Sequence, residues 1–279
     1  MKIGYLGPKG TFTEEAAIKL KKFEKCKLLS FDSIVEVLDA VDKNKIDKGV
    51  VPIENSIEGS VGITLDLLAF EYNLCIYREI IIPINHCLIT NKGVKLSDIE
   101  VICSHPHSLA QCRKFIEKLG LKIRSFQSTA AAAKFIKGKL NYAAIAPKRA
   151  AKLYNLHVIQ ENIQDYKNNF TRFIVVAKRD HEFTGDDKTS IVFSLEDKPG
   201  RLYEVLKEFA KRNINLTKIE SRPLKLGLGR YIFFLDFEGH RKENKIVDVL
   251  DAVSKKTHFM KILGSYPISK IYESNSLKK

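Results

Sequence analysis

The chain has 279 residues, more than a single hydrophobic core usually holds, and this length predicts at least two domains. Hydrophobic residues make up 44% and charged residues 29%, which excludes a largely disordered protein, and no run of about 20 apolar residues predicts a membrane span. The formal net charge of +14 would suit a nucleic-acid partner. However, the lysines lie mostly on predicted helical faces, and aromatic residues do not alternate with them as a stacking surface would require. We therefore expect no nucleic-acid or membrane partner, and a positive field that attracts small anions.

The first predicted strand, 2–6, runs into a turn at Gly7. It lacks the charged segment and the long apolar run of a secretory signal, so a cytoplasmic location is expected. The five cysteines of the chain are scattered and odd in number, which favours reduced thiols over disulfides.

Short apolar strands alternate with helices up to residue 177. The predicted strands are 2–6, 27–31, 48–53, 100–103, 121–126, 141–146, 156–160 and 171–177, with an extended stretch over 74–90. Two helices are predicted to start near the capping residues Thr13 and Ser33. Four further helices are predicted over 61–71, 106–118, 129–138 and 147–153. Such alternation predicts parallel, doubly wound sheets that bind ligands at the carboxyl ends of their strands. We expect an α/β domain over 1–180 with two lobes around a cleft, as in periplasmic binding proteins, the second lobe being about 84–160.

The pattern changes after a polar, Gly-containing segment over 178–188, which has the composition of a linker. Strands 189–195, 214–221, 229–237 and 257–265 and helices 201–212 and 242–254 follow. This order, βαββαβ, predicts a small ferredoxin-like domain over 188–270.

Small and polar residues follow several strands of the first domain. Such turns occur at Gly7–Thr13, at Pro52–Ser60, at Ser104–His107 with Gln111 on the helix behind it, and at Asn168–Phe173. Each turn alone fits an ordinary loop or helix cap, but their shared position at strand ends favours one substrate site. Thr171 and Arg172 are consecutive in a strand, so at most one of them points into any single pocket.

The sequence gives little support to a zinc site or to a serine hydrolase site. Cys103, His105, His107 and Cys112 lie close in sequence, but their spacing matches no standard zinc site, so no metal is expected. The chain has no Gly-x-Ser-x-Gly elbow, which argues against a serine hydrolase.

Together these segments resemble the prephenate dehydratase family. The resemblance is carried by Gly7-Pro8-Lys9-Gly10-Thr11-Phe12, Pro52 to Val61, Ser104-His105-Pro106 with Ala110-Gln111-Cys112, Ser128-Thr129-Ala130-Ala131-Ala132, and Thr171-Arg172-Phe173. The C-terminal domain resembles the ACT regulatory fold through Asp197-Lys198-Pro199-Gly200 and Glu220-Ser221-Arg222-Pro223. Nothing like a chorismate mutase domain precedes residue 1, which implies a monofunctional form.

The resemblance implies that prephenate loses its ring hydroxyl and one carboxylate together, giving phenylpyruvate, water and carbon dioxide. Aromatisation drives this step, so no cofactor is needed. The resemblance places Thr171 at the reacting centre, as donor to the leaving hydroxyl. The other implied site residues are catalytic Asn55, Ser104 and Gln111 and substrate-binding Thr11, Ser56, Arg172 and Phe173. A solute-binding protein and an arogenate dehydratase remain the alternatives.

The ACT resemblance implies feedback inhibition by L-phenylalanine and a homodimer or homotetramer assembled through ACT domains. The implied effector contacts are Gly200, Arg201, Leu202, Asn215, Glu220, Ser221, Arg222 and Pro223. Arg201 and Tyr203 depart from the small residue and the Val that are usual after the glycine, and this bears on the strength of effector binding.

Overall fold

The first lobe is formed by residues 2–83 and one later strand. A computed structural model describes residues 1–21, 25–224 and 231–269. The elements of this lobe are β1 (Lys2–Leu6), α1 (Phe12–Leu20), β2 (Lys27–Phe31), α2 (Ile34–Asp42), β3 (Lys48–Asn55), β4 (Gly59–Ser60), α3 (Gly62–Asp66) with a π-helical turn (Leu67–Glu71), and β5 (Cys75–Pro83). Ser33 caps α2 as predicted, whereas α1 is capped by Thr11 and not by Thr13, because the Thr11 hydroxyl accepts from the Glu14 N–H.

The second lobe follows after the chain crosses at residues 84–86. Its elements are β6 (Cys87–Thr90), a 3₁₀ turn (Leu96–Asp98), β7 (Val101–Ser104), α4 (Pro106–Gln111), α5 (Arg113–Leu119), β8 (Lys122–Ser125), α6 (Thr129–Phe135), β9 (Tyr142–Ala146), α7 (Lys148–Tyr154) and β10 (His157–Gln160). The helix predicted over 106–118 is interrupted at Cys112, whose φ of −116° and ψ of 24° are not helical. The chain then returns to the first lobe as β11 (Phe170–Ala177).

Both sheets are mixed, so the expected parallel pairing holds for part of each sheet. The first has the order β2-β1-β3-β11-β5 with β4 beside β3, and the second the order β10-β6-β9-β7-β8. Strands joined by helices run parallel, namely β1, β2 and β3 in one lobe and β7, β8 and β9 in the other. Strands β6 and β11 run antiparallel to their neighbours, and β10, which follows helix α7, pairs antiparallel with β6.

The C-terminal part is the expected βαββαβ sandwich. It consists of β12 (Asp187–Ser194), α8 (Arg201–Lys211), β13 (Leu216–Pro223), β14 (Tyr231–Glu238), α9 (Asn244–Ser254) and β15 (Phe259–Pro267). Its antiparallel sheet has the order β13-β14-β12-β15. One face carries α8 and α9 over a core that includes Phe193, Val205 and Val249.

The other face of this C-terminal sheet is buried against the first lobe. Val192, Phe234 and Tyr266 belong to the same apolar cluster as Leu68 and Ile174. Burying this face removes it from water, so the two parts of the chain share one core. None of the helices within the described ranges is both long and apolar enough to cross a bilayer.

Candidate active site

Asn55 and Thr171 are paired neighbours at the ends of β3 and β11. The Oδ1 atom of Asn55 accepts from the backbone N–H groups of Ile57 and Glu58, each at 3.0 Å. The Nδ2 atom of Asn55 therefore acts as the donor, and it lies 2.9 Å from Thr171 Oγ1. An amide nitrogen does not accept a hydrogen bond, so the hydroxyl proton of Thr171 is left to be donated elsewhere.

Asn169 and Gln111 extend this contact across the cleft. Asn55 Nδ2 lies 2.8 Å from Asn169 Oδ1, and Asn169 Nδ2 donates to Gln111 Oε1 at 2.8 Å. Gln111 Nε2 in turn donates to Glu58 Oε1 at 3.2 Å. Gln111 belongs to α4 of the second lobe, whereas Asn55 and Glu58 belong to the first. Three of the four predicted catalytic residues thus meet in a single hydrogen-bonded network between the lobes.

Ser104, the fourth, has a different partner. Its side chain is fully buried, and its hydroxyl donates to the Ile145 carbonyl at 2.6 Å, which ties β7 to β9. Ser104 ends the strand that leads into α4, so in this structure it supports the helix that carries Gln111. The structure does not place its hydroxyl in the network.

Thr11 and Ser56, predicted to bind substrate, hold turns of the first lobe. The hydroxyl of Thr11 caps α1 and donates to the Pro8 carbonyl at 3.0 Å. The hydroxyl of Ser56 accepts from the Phe170 N–H at 2.9 Å and lies 3.2 Å from the Asn168 carbonyl, which fastens the Pro52–Ser60 turn to β11. Both residues therefore shape loops beside the cleft through bonds to the backbone.

Arg172 and Phe173 point away from this network, so the structure does not gather them with the other expected site residues. Phe173 is 2% exposed and packs with Ile3 and Val50 in the core of the first lobe. The guanidinium of Arg172 is directed to the opposite face from Thr171, where it pairs with Glu79 at 2.7 Å and with Asp236 at 2.6 Å. The alternation of side chains along β11 explains why Arg172 points away from Thr171. Docking of the C-terminal sheet supplies the Asp236 carboxylate.

The lobes are also joined at Glu14, near the first turn. Its Oε2 accepts from the Gly10 N–H at 2.7 Å and from Arg149 Nε of the second lobe at 2.6 Å. Burial alone would raise the pKa of this carboxyl, but the bonds from Arg149 and Gly10 lower it below its usual value. Glu14 is therefore held ionised, and its negative charge balances the positive charge of Arg149.

His86 and Asn169 are two members of the network that sequence reasoning did not single out. His86 lies at the crossing between the lobes, is 1% exposed, and places its Nε2 atom 3.0 Å from Gln111 Oε1. Asn169 belongs to the polar residues that precede β11, and this position at a strand end indicates a possible site residue. His86 follows an apolar strand, and no feature of the nearby sequence indicates a role in the site.

Two cysteines and two histidines lie close in sequence at 103–112, and a zinc site would need their side chains to converge. Cys103 and Cys112 are buried, and burial raises the pKa of both thiols, that of Cys103 to about 11. The rings of His105 and His107 contact each other at 5.0 Å between centroids. Within 1–21, 25–224 and 231–269, no group of three or more His, Cys, Asp or Glu has a geometry suited to a metal.

A cavity of about 640 Å³ lies at the first strand-to-helix turn of the C-terminal domain. Arg201 and Leu202 line it, and Gly200 begins α8 with a φ of +83°. Tyr231 and Phe233 of β14 add aromatic walls. Asn215 lies elsewhere, where it donates to Glu238 at 2.8 Å beside a separate hollow of about 400 Å³. The cavity therefore gathers only part of the expected effector set.

The remaining expected effector residues lie on β13, and two of them face the first lobe. Glu220 accepts from the Ser60 hydroxyl, and Arg222 pairs with Asp66 at 3.0 Å. Ser221 and Pro223 alternate with them and are exposed. In this placement the charges of Glu220 and Arg222 are engaged at the junction between the domains.

Family models match nearly the whole chain. The prephenate dehydratase model matches residues 3–181, and the ACT domain model matches residues 189–255. The prephenate dehydratase of Methanocaldococcus jannaschii is 45% identical over 271 residues, which cover 95% of this chain and 97% of that protein. Arogenate dehydratase/prephenate dehydratase 2 of Arabidopsis thaliana is 38% identical over 96% of this chain and 73% of its own length.

Solved structures agree. The prephenate dehydratase of Arthrobacter aurescens in complex with L-Phe superposes with a TM-score of 0.87 and 37% identity, and the match covers 96% of this chain and 90% of that one. The motifs, the two lobes, the C-terminal sandwich and these relatives lead to one conclusion: the chain belongs to the prephenate dehydratase family and carries an ACT domain.

Proposed function

We propose that this protein converts prephenate to phenylpyruvate, water and carbon dioxide. The bond from the ring to its carboxylate breaks, the released electron pair completes the aromatic ring, and the C–O bond to the ring hydroxyl breaks as that oxygen gains a proton. The site must therefore favour loss of the carboxylate and donate to the leaving oxygen. Family membership and the residues between the lobes support the assignment.

The observation that carries the proposal is the contact from Asn55 Nδ2 to Thr171 Oγ1 at 2.9 Å. It turns the oxygen lone pair of Thr171 toward Asn55 and leaves the hydroxyl proton for a substrate in the cleft. A threonine hydroxyl is a weak acid, so we assign it the role of a positioned donor. Such a donor contributes on the order of 2–4 kcal/mol to transition-state stabilisation in a site that excludes water.

Substrate entry requires the cleft to open. Gln111 Nε2 donates to Glu58 across the lobes, so a substrate between them must replace this contact. We propose that Gln111 Nε2 then donates to the substrate while Gln111 Oε1 keeps the bond from Asn169, and that Glu58 orients the loop. Closure around the dianion would exclude water and strengthen each polar contact.

The first experiment supplies the purified protein with prephenate and follows phenylpyruvate. Turnover of prephenate supports the proposal. Binding without turnover would favour a solute-binding protein, as two lobes around a cleft also allow. Because a plant relative is named for both substrates, arogenate is supplied in a parallel assay. A clear preference for arogenate would replace the substrate assigned here.

We propose further that L-phenylalanine binds the ACT cavity and inhibits the enzyme. The cavity combines the rings of Tyr231 and Phe233 with Arg201, whose guanidinium pairs with Glu204 at 2.9 Å and would exchange this partner for a ligand carboxylate. Assembly through paired ACT domains is part of this proposal, and the exposed side chains of Tyr203 and Ile219 suit a protein contact. We also propose a cytoplasmic location. Sedimentation with and without L-phenylalanine tests the assembly.

A further inference from the structure

His86 occupies the segment that crosses between the lobes, directly behind the catalytic network. Its backbone N–H donates to Gln164 Oε1 at 3.0 Å, and its ring makes a T-shaped contact with the Phe12 ring, with 5.5 Å between centroids. One contact therefore holds the backbone of His86 and the other packs against its ring. Its Nε2 atom is its one polar link to the site, through Gln111 Oε1 at 3.0 Å.

The hydrogen-bond network dictates which nitrogen of His86 carries a proton. The backbone N–H groups of Ile57 and Glu58 fix Asn55 Oδ1 as an acceptor, so Asn55 Nδ2 donates to Asn169 Oδ1. Asn169 Nδ2 must then donate to Gln111 Oε1. That oxygen can only accept, so His86 Nε2 bears the hydrogen that points at it.

The second ring nitrogen of His86 has no such support. Among the described residues, Nδ1 is buried and has no hydrogen-bond partner. A proton on Nδ1 would be a buried donor without an acceptor, and burial lowers the pKa of the ring. His86 is therefore neutral and carries its hydrogen on Nε2. Leaving a buried polar atom unpaired is costly, which calls for a compensating role.

We infer that His86 is a positioning residue that locks the side-chain amide of Gln111, so that Gln111 Nε2 faces Glu58 and the cleft. This role rests on the proposed function. If the amide of Gln111 turned over, its NH₂ group would face both His86 Nε2–H and the NH₂ group of Asn169. Two donor–donor contacts would result, and the disturbance would pass through Asn169 to Asn55 and Thr171.

Two substitutions separate the hydrogen bond from simple packing. His86→Gln can present an amide N–H near the position of Nε2, whereas His86→Leu fills space without a donor. His240 provides the control, since it is fully buried in the ACT domain and its Nε2 atom lies 3.1 Å from the His181 carbonyl. We expect His86→Leu to lower kcat by about 10-fold or more, on the scale of one positioned hydrogen bond, with KM less affected. His86→Gln should recover most of kcat, and His240→Leu should keep the wild-type value.

Gln111→Leu should lower kcat by a smaller factor in the His86→Leu protein than in the wild-type protein, because part of the contribution of Gln111 depends on His86. Nitrogen NMR of the folded wild-type protein gives a readout independent of turnover, and it should show His86 neutral with its hydrogen on Nε2 at neutral pH. An Nδ1–H tautomer, a charged ring, or wild-type kcat in a folded His86→Leu protein would overturn the inference. A wild-type protein that does not turn over prephenate would refute the proposed function instead, and the tautomer would still be measured.

Discussion

Arg172 Nη1 lies 2.6 Å from Asp236 Oδ2, so the residue that follows Thr171 is ion-paired with the ACT domain. Both side chains are buried, and the Tyr266 hydroxyl completes the cluster at 2.7 Å from Arg172 Nη2. A second link runs from Lys218 of β13 to Glu54, the neighbour of Asn55, at 3.2 Å. The ACT sheet therefore touches both strands that carry the proposed catalytic pair.

Asp236→Asn should destabilise the protein by about 3 kcal/mol, because it removes one partner of a buried ion pair. Burial would raise the pKa of Asp236, but Arg172 holds it below its usual value. A lowered pKa means that the pair stabilises the fold above the ordinary pKa of Asp, and that this contribution is lost as pH falls through the lower value. Denaturant unfolding between about pH 2 and pH 7 should show a weaker acid dependence in the variant.

Asp66→Asn is the matched control, since it lies at the same junction but its partner Arg222 has a side chain that is 24% exposed, against 10% for Arg172. It should cost less, because water screens this pair more strongly. Equal losses of stability in the two variants would mean that the Arg172 cluster has no special role.

Gly264→Ala should loosen the contact between the ACT domain and the first lobe. An added Cβ would lie 2.4 Å from the Ile76 carbonyl oxygen, and Gly264 has a φ of +142°, which disfavours any side chain. We expect a loss of more than about 1 kcal/mol in thermal unfolding. Gly93→Ala measures conformational strain alone, because Gly93 has a φ of +82° with nothing within 4 Å of the added atom. Similar losses at both sites would show that the close approach of β15 to β5 is unimportant.

Tyr231→Ala should weaken L-phenylalanine inhibition about 10-fold or more, because it removes an aromatic wall of the 640 Å³ cavity. Uninhibited turnover should be unchanged. Val247→Ala is the control, since Val247 is 41% exposed in the same domain and belongs neither to the residues around the cavity nor to those proposed for the assembly contact. Inhibition constants and calorimetric affinities for L-phenylalanine would be measured together. Unchanged affinity in Tyr231→Ala would place the effector elsewhere.

The sequence was sufficient to predict that Asn55, Gln111 and Thr171 meet, because strand ends in two α/β lobes converge on one cleft. Strand alternation also predicted that Thr171 and Arg172 face opposite ways. The partner of Arg172 was not predictable, since Asp236 is 64 residues away and reaches it only through docking of the ACT sheet. The role of His86 depends on the orientation of three side-chain amides, which the backbone N–H groups of Ile57 and Glu58 fix in succession. These amides come from distant parts of the sequence, so no local pattern reveals the series of hydrogen bonds.

The most direct test of the catalytic assignment is the rate of prephenate turnover by Thr171→Val. Valine keeps the shape and the strand preference of threonine and removes only the hydroxyl. The account predicts that kcat falls by about 100-fold or more with a folded protein and a nearly unchanged KM, and that Thr171→Ser retains most of the activity. Near-normal kcat in Thr171→Val would exclude this hydroxyl from the chemical step.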